Sequence, residues 1–143
     1  MALNLLHSQL VLQQSNITLI SDWSFETCRK LTSAFSNENS VVMDAEGVDL
    51  SREGAISIVQ LATREHCFIF DVLDKNADDS LVAWLRGILE DETVTKIIHD
   101  CRMDSDALLH HLQIRLSKVQ SILFCPFIHD FCCVYSIHVE MYV

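Results

Sequence analysis

The sequence predicts an α/β domain built on a mixed sheet, an antiparallel meander plus a parallel strand, flanked by helices. Three observations predict it. Stretches 41–46, 55–62 and 67–72 are rich in Val, Ile and Phe and follow one another through short polar turns, as meander strands do. Segments with apolar residues three and four apart precede and follow them, as helices buried on one side require. A short β-branched run at 95–99 then passes directly into another helical pattern, which is how a buried parallel strand and its crossover read.

Residues 1–14 hold Leu3, Leu5, Leu6, Leu10, Val11 and Leu12, and fit a short helix or a loose lead-in equally well. Asn16–Ile20 alternates polar and apolar, predicting a strand. Ser21 or Asp22 is then expected to cap a helix running to Phe35, with Phe25, Cys28, Leu31 and Phe35 on its apolar face. The polar run 36–40 is a loop, and the strand Val41–Glu46 follows. A charged turn spans Gly47–Gly54. Strands over Ala55–Ala62 and Cys67–Val72 are joined by Thr63-Arg64-Glu65. Asp78 or Asp79 caps the next helix, which carries Leu81, Trp84, Leu85, Ile88 and Leu89. Strand Thr95–His99 leads into a helix over 102–112 with Ala107, Leu108 and Leu112 inward.

With 143 residues, half of them hydrophobic, the chain suits one domain with a sizeable core. One Pro and three Gly leave little room for linkers. The organisation expected is a lead-in over 1–15, a domain over 16–118 and an apolar, Cys-rich tail over 119–143. The net charge of −10 argues against a general electrostatic grip on nucleic acid, and leaves open a local site where metal ions recruit phosphate. The six cysteines form no CxxC pair, and no Lys or Arg precedes Arg29, so neither a structural zinc site nor a basic leader is expected. The setting expected is intracellular, nuclear or cytoplasmic, with the cysteines as thiols.

Val41-Val42-Met43-Asp44-Ala45-Glu46 places two carboxylates at a strand end, one residue apart. Side chains at i and i+2 share a face, with Cα atoms about 6.6 Å apart at about 3.3 Å per residue. Paired carboxylates repel unless a cation or proton lies between them, and hard oxygen donors suit Mg²⁺ or Mn²⁺. Such a pair is what two-metal phosphodiester hydrolysis needs, with ions about 3.5–4 Å apart. Solvated edge charges would give the same pattern. Downstream, His99-Asp100-Cys101-Arg102-Met103-Asp104-Ser105-Asp106 crowds three carboxylates at a strand–helix junction. Asp100 and Asp104 share a face if both are helical, whereas Asp106 turns away. Plain helix capping is the alternative.

Together these residues resemble the DEDD-type 3′–5′ exonucleases, a family with the ribonuclease H-like fold. The likeness spans roughly residues 16–118. The wording of 99–102, with Gly47–Gly54 and Ile56-Ser57-Ile58-Val59-Gln60-Leu61-Ala62, is similar to the branch of Egalitarian and the exonuclease 3′–5′ domain-containing proteins. The resemblance implies that Asp44, Glu46 and Asp104 are catalytic metal ligands for Mg²⁺ or Mn²⁺. From their places at the strand end and junction, His99 and Arg102 are candidate substrate contacts; a partly buried His99 bonded to backbone and a solvated or locally paired Arg102 are the alternatives. The resemblance also implies hydrolysis of RNA or single-stranded DNA from the 3′ end. An inert exonuclease-fold module that binds RNA or a protein partner, or self-associates, is the alternative.

The sequence departs from the family further on. The family's third motif sets a Tyr or His four residues before a fourth Asp, yet after Asp106 the acids are Asp130, preceded at that distance by Pro126, and Glu140, preceded by Ser136. From Val119 to Val143 there is no Lys or Arg, and Cys125, Cys132 and Cys133 cluster. The sequence therefore reads as a family domain incomplete at its C-terminal side, leaving the family pattern near Ile114–Lys118, as an alternative transcript would. His129-Asp130 interrupt any membrane span. A zinc site from Cys125, His129, Cys132, Cys133 and His138 lacks a recognised spacing and is not expected. Among the remaining residues, His110-His111 read as surface, Trp84 and Phe35 as core, and Arg52 and Arg64 as solvated or locally paired charges.

Overall fold

The computed structural model describes residues 17–122. The expectations for the lead-in and for the Cys-rich tail lie outside these residues. The described chain runs β1 (Ile17–Ile20), α1 (Phe25–Phe35), β2 (Ser40–Glu46), β3 (Ile58–Ala62), β4 (Cys67–Asp71), α2 (Ser80–Leu89), β5 (Thr95–His99), α3 (Arg102–Leu112) and β6 (Val119–Ile122). The strands form one sheet in the order β1-β4-β3-β2-β5-β6. β2, β3 and β4 are the antiparallel meander. β1 joins β4, β5 joins β2 and β6 joins β5, each in parallel.

The crossovers β1–α1–β2, β4–α2–β5 and β5–α3–β6 all step the same way across the sheet between parallel strands. Right-handed connection therefore puts all three helices on one face. That face is the core: Val41, Met43, Val59, Leu61, Phe68, Phe70 and Ile98 are buried with Leu31, Phe35, Leu81, Leu85, Leu89, Leu108 and Leu112. Phe35 meets Phe68 and Trp84 at 5.4 Å between ring centres, and Trp84 stacks on Phe70 at 5.7 Å, so both belong to the core as expected. The opposite face carries the alternate residues, among them Val42, Asp44 and Glu46 of β2 beside Ala62, Gln60 and Ile58 of β3.

Several boundaries differ from the sequence expectation. Helix α1 is capped by Ser24, whose Oγ accepts the Thr27 N–H at 3.1 Å, rather than by Ser21 or Asp22. Phe25 is consequently at the first helical position and 86% exposed, off the apolar face. β3 starts at Ile58, not Ala55, because the turn brings the Ala55 carbonyl against Gly47; a Cβ on Gly47 would lie 1.9 Å from that oxygen. Only glycine allows this close approach directly after Glu46. β6 carries the sheet past residue 118, where the domain was expected to end. Asp79 caps α2 through the Leu81 N–H at 2.8 Å, within the expected pair.

One buried charge braces the end of the sheet remote from Asp44. Lys96 of β5 is fully buried, and its Nζ donates to the carbonyls of Asp91 (2.6 Å) and Val94 (2.8 Å) and to Ser117 Oγ (3.4 Å). Arg86 donates to the Leu112 carbonyl at 2.9 Å and to Ala77 at 3.0 Å, so a cation closes the C-terminal end of α3. Among the described residues no helix is long and apolar enough to cross a membrane.

Candidate active site

β2 alternates buried and open positions: Val41, Met43 and Ala45 point into the core, Asp44 is half-buried, and Glu46 is exposed at the strand end. The two carboxylates thus lie on one face, as their spacing predicts. Asp104 reaches them from the first turn of α3, where a carboxylate also complements the helix dipole. It is only 6% exposed, and its Oδ1 accepts the Ala45 N–H at 2.9 Å, across 59 residues of sequence. That bond welds the α3 N-terminus between the two β2 acids.

Crowding shows in the protonation equilibria. The Asp44 carboxyl is pushed up to about 6, first by burial, then by the neighbouring charges of Asp104 and Glu46. Burial also raises Asp104, although the Ala45 N–H and its own backbone N–H oppose the rise, and Glu46 and Asp100 add to it. The three sequence-predicted acids therefore feel one another. Among the described residues, however, no three His, Cys, Asp or Glu side chains already stand in metal-holding geometry.

The remaining expected site residues divide. His99 is exposed at the end of β5, and its charge opposes the rise at Asp44, so it lies at the rim of the carboxylate cluster. Arg102 is turned elsewhere: its guanidinium grips Asp100 through two bonds of 2.7 Å. Asp100 does not share a helical face with Asp104, because it precedes α3 with φ 46°, a left-handed conformation that Asp tolerates. Arg102 holds the Asp100 carboxyl below its usual range. Asp106 points away as expected, and forms a fork with Arg52 at 2.7 and 3.2 Å. His111 is not simple surface; its Nε2 lies 2.8 Å from the Ser51 carbonyl, tying α3 to the turn after Glu46.

One residue is not singled out by the sequence pattern. Gln60 lies directly opposite Asp44 in the β2–β3 ladder, is 3% exposed, and neither its Oε1 nor its Nε2 has a hydrogen-bond partner. The signal that could have found it is a carboxamide inside the apolar run Ile58-Val59-Gln60-Leu61-Ala62.

A family model described as 3′–5′ exonuclease matches residues 24–124. The chain belongs to the 3′–5′ exonuclease family. The match to this exonuclease family takes in β6 and runs past residue 118. The piRNA biogenesis protein EXD1 of Xenopus laevis is 36% identical over 83 residues, covering 58% of this chain and 18% of that protein. The chain thus matches less than a fifth of that relative's length. Among solved structures, Trypanosoma brucei RNase D in complex with RNA U12 superposes with a TM-score of 0.63 at 24% identity, over 80% of this chain and 40% of that one. Brucella melitensis NrnC with bound Mg²⁺ gives a TM-score of 0.59 at 18% identity, over 74% and 49%. At these identities the superpositions establish the shared fold, an RNase H-like mixed sheet.

Proposed function

We propose that the chain's exonuclease domain hydrolyses RNA phosphodiesters from the 3′ end with the help of Mg²⁺ or Mn²⁺, and that Asp44, Glu46 and Asp104 are its metal ligands. The observation that carries this reading is the mutual crowding of the three acids at the end of β2, with Asp44 raised to about 6. An all-oxygen, acidic donor set suits a hard divalent cation, and a cation there relieves the repulsion that burial intensifies. Such ions, when bound, supply an activated water and neutralise charge on the attacked phosphate.

The protein's own part follows from its geometry. Asp104 is anchored through Oδ1 to the Ala45 N–H. Asp44, half-buried, feels the Asp104 charge, and Glu46 stands at the exposed side as the third acid. His99 at the rim supplies a donor for a substrate phosphate, whereas Arg102 serves only if it leaves Asp100. With ten more acidic than basic residues, the chain repels RNA, so metal loading governs substrate binding as well as chemistry. RNA is preferred over single-stranded DNA because the similar RNase D structure carries RNA U12.

A second reading has its own support. Residues 107–122 contain no Asp or Glu to act as a fourth acid, and no metal-holding group stands preformed among the described residues. That pattern suits an exonuclease-fold module that binds RNA or a protein partner without cleaving. A nuclease assay on 5′-labelled single-stranded RNA and DNA with Mn²⁺ separates the two. Shortening from the 3′ end that Asp44→Ala abolishes supports the enzyme. An intact substrate with a folded sample leaves the binding module.

A further inference from the structure

Gln60 is the polar group on this sheet whose chemistry the fold leaves unanswered. A carboxamide carries two donors and an acceptor, and burying it unpaired costs on the order of 1–3 kcal/mol. Its surroundings on that face are narrow. Directly opposite are Asp44 on β2 and Ile69 on β4, and along its own strand the same-face neighbours are Ile58 and Ala62. Val42 and Glu46, Cys67 and Asp71 lie on the diagonals, and Asp71 Oδ1 already accepts the Leu73 N–H at 3.1 Å. Directly opposed side chains in an antiparallel pair have Cβ atoms about 4.5–5.5 Å apart, while diagonal ones are about 7–8 Å away. Among the polar side chains of the two neighbouring strands, the one the register sets closest to the Gln60 amide is therefore the Asp44 carboxylate.

We propose that Gln60 is a positioning residue for Asp44: its Nε2–H donates to the Asp44 oxygen turned away from the metal and fixes the carboxylate rotamer that holds the ion. The inference rests on the metal-ligand reading of Asp44 given above. It accounts for two observations at once. The buried amide has no hydrogen-bond partner, and among the described residues the three crowded acids do not yet stand in metal-holding geometry. Partners behind a ligand commonly tune metal affinity by about 10–100-fold. Burial next to apolar Ile58, Ala62 and Ile69 strengthens the bond once made.

The test follows the side-chain N–H₂ pair of Gln60 by NMR in the full 143-residue chain as Mg²⁺ is added, with the Ala45 amide as the reporter of site occupancy. The expected result is that both signals shift at the same Mg²⁺ concentration, and that Gln60→Met, which keeps the volume and removes the amide, weakens Mg²⁺ binding about tenfold. Metal-free Gln60→Met is expected to melt no lower than the parent, since it removes an unpaired group. An Ala45 shift without a Gln60 shift overturns the proposal and leaves the metal reading standing. A shift of neither overturns both. A lower melting temperature of Gln60→Met with unchanged Mg²⁺ affinity assigns Gln60 a purely structural bond and also overturns it. Should Gln60→Met fail to fold, the titration of the parent chain still decides.

Discussion

Two buried charged centres stand at opposite ends of the sheet and are built on opposite rules. At the start of β5, the Lys96 ammonium is enclosed and answered by two carbonyls and a hydroxyl. Glu90 and Lys118 extend the same clamp: the Glu90 side chain accepts the Arg115 N–H at 2.8 Å and Lys118 donates to the Thr93 carbonyl at 2.9 Å. At the end of β2, Asp44 and Asp104 are also withdrawn from water, yet the charges that raise them are other carboxylates: Asp104 and Glu46 act on Asp44, and Glu46 and Asp100 act on Asp104. Gln60 adds an unpaired amide beside them. A buried charge whose bonds are complete holds a structure together. Like charges gathered without a counterion are tolerated where something else is meant to bind, because desolvation otherwise penalises them.

The largest expected effect sharpens that contrast in activity. Asp44→Ala, Glu46→Ala and Asp104→Asn each lower Mn²⁺-dependent shortening of RNA by at least about a hundredfold, since a divalent site short of one carboxylate loses much of its stabilisation of phosphate charge. Asp104→Asn keeps an oxygen for the Ala45 N–H and so keeps the fold, which circular dichroism checks. An active Asp44→Ala sample would break the assignment.

In stability the order reverses. Lys96→Met removes three bonds and strands two carbonyls, and is expected to destabilise the chain by about 2–4 kcal/mol in urea unfolding. Activity per folded molecule should stay unchanged. Asp44→Asn has the opposite sign. It removes an ionised group from a crowded site and stabilises the metal-free chain at pH 7 by about 1–2 kcal/mol, a figure reduced for the partial exposure of the carboxyl. The gain should vanish when Mg²⁺ saturates the parent.

The same physics fixes a pH dependence. The Asp44 carboxyl sits near 6 in the fold against 3.8 when unperturbed, so the folded chain binds more protons between those values. Its contribution to metal-free stability is fully present below 3.8 and is lost as pH rises through about 6. Thermal melts in a chelator, compared between parent and Asp44→Asn at pH 5 and 7.5, isolate this contribution. The parent should lose stability relative to the variant on going to the higher pH. The smallest effect is expected from Arg52→Ala: the fork to Asp106 is largely exposed, and the unfolding midpoint should hardly move in moderate salt.

Much of this architecture is legible in the amino-acid sequence. The meander, the parallel strand, the α2 cap at Asp79 and the core roles of Phe35 and Trp84 follow from period and local chemistry. Asp44 and Glu46 share a face because two residues is the repeat of a strand. Other features are not legible there. Ser24 rather than Ser21 or Asp22 caps α1 because cap choice depends on which hydroxyl reaches a free N–H, and several candidates compete within four residues. Arg102 reads either as a phosphate contact or as a locally paired charge, and only the left-handed turn at Asp100 decides for the pair. Gln60 and Lys96 are polar residues inside apolar strands, and periodicity does not say whether such a residue is answered or left waiting.

The sequence by itself determined the kind and order of the elements from β1 to α3 and the two β2 acids, because these depend on contacts within a few residues. Only the tertiary structure decided that Asp104 closes on Ala45 across 59 residues, that Lys96 is satisfied, and that Gln60 faces Asp44 unpaired. Those outcomes depend on how strands align and on which water is displaced when they do, and neither is set until the sheet is assembled.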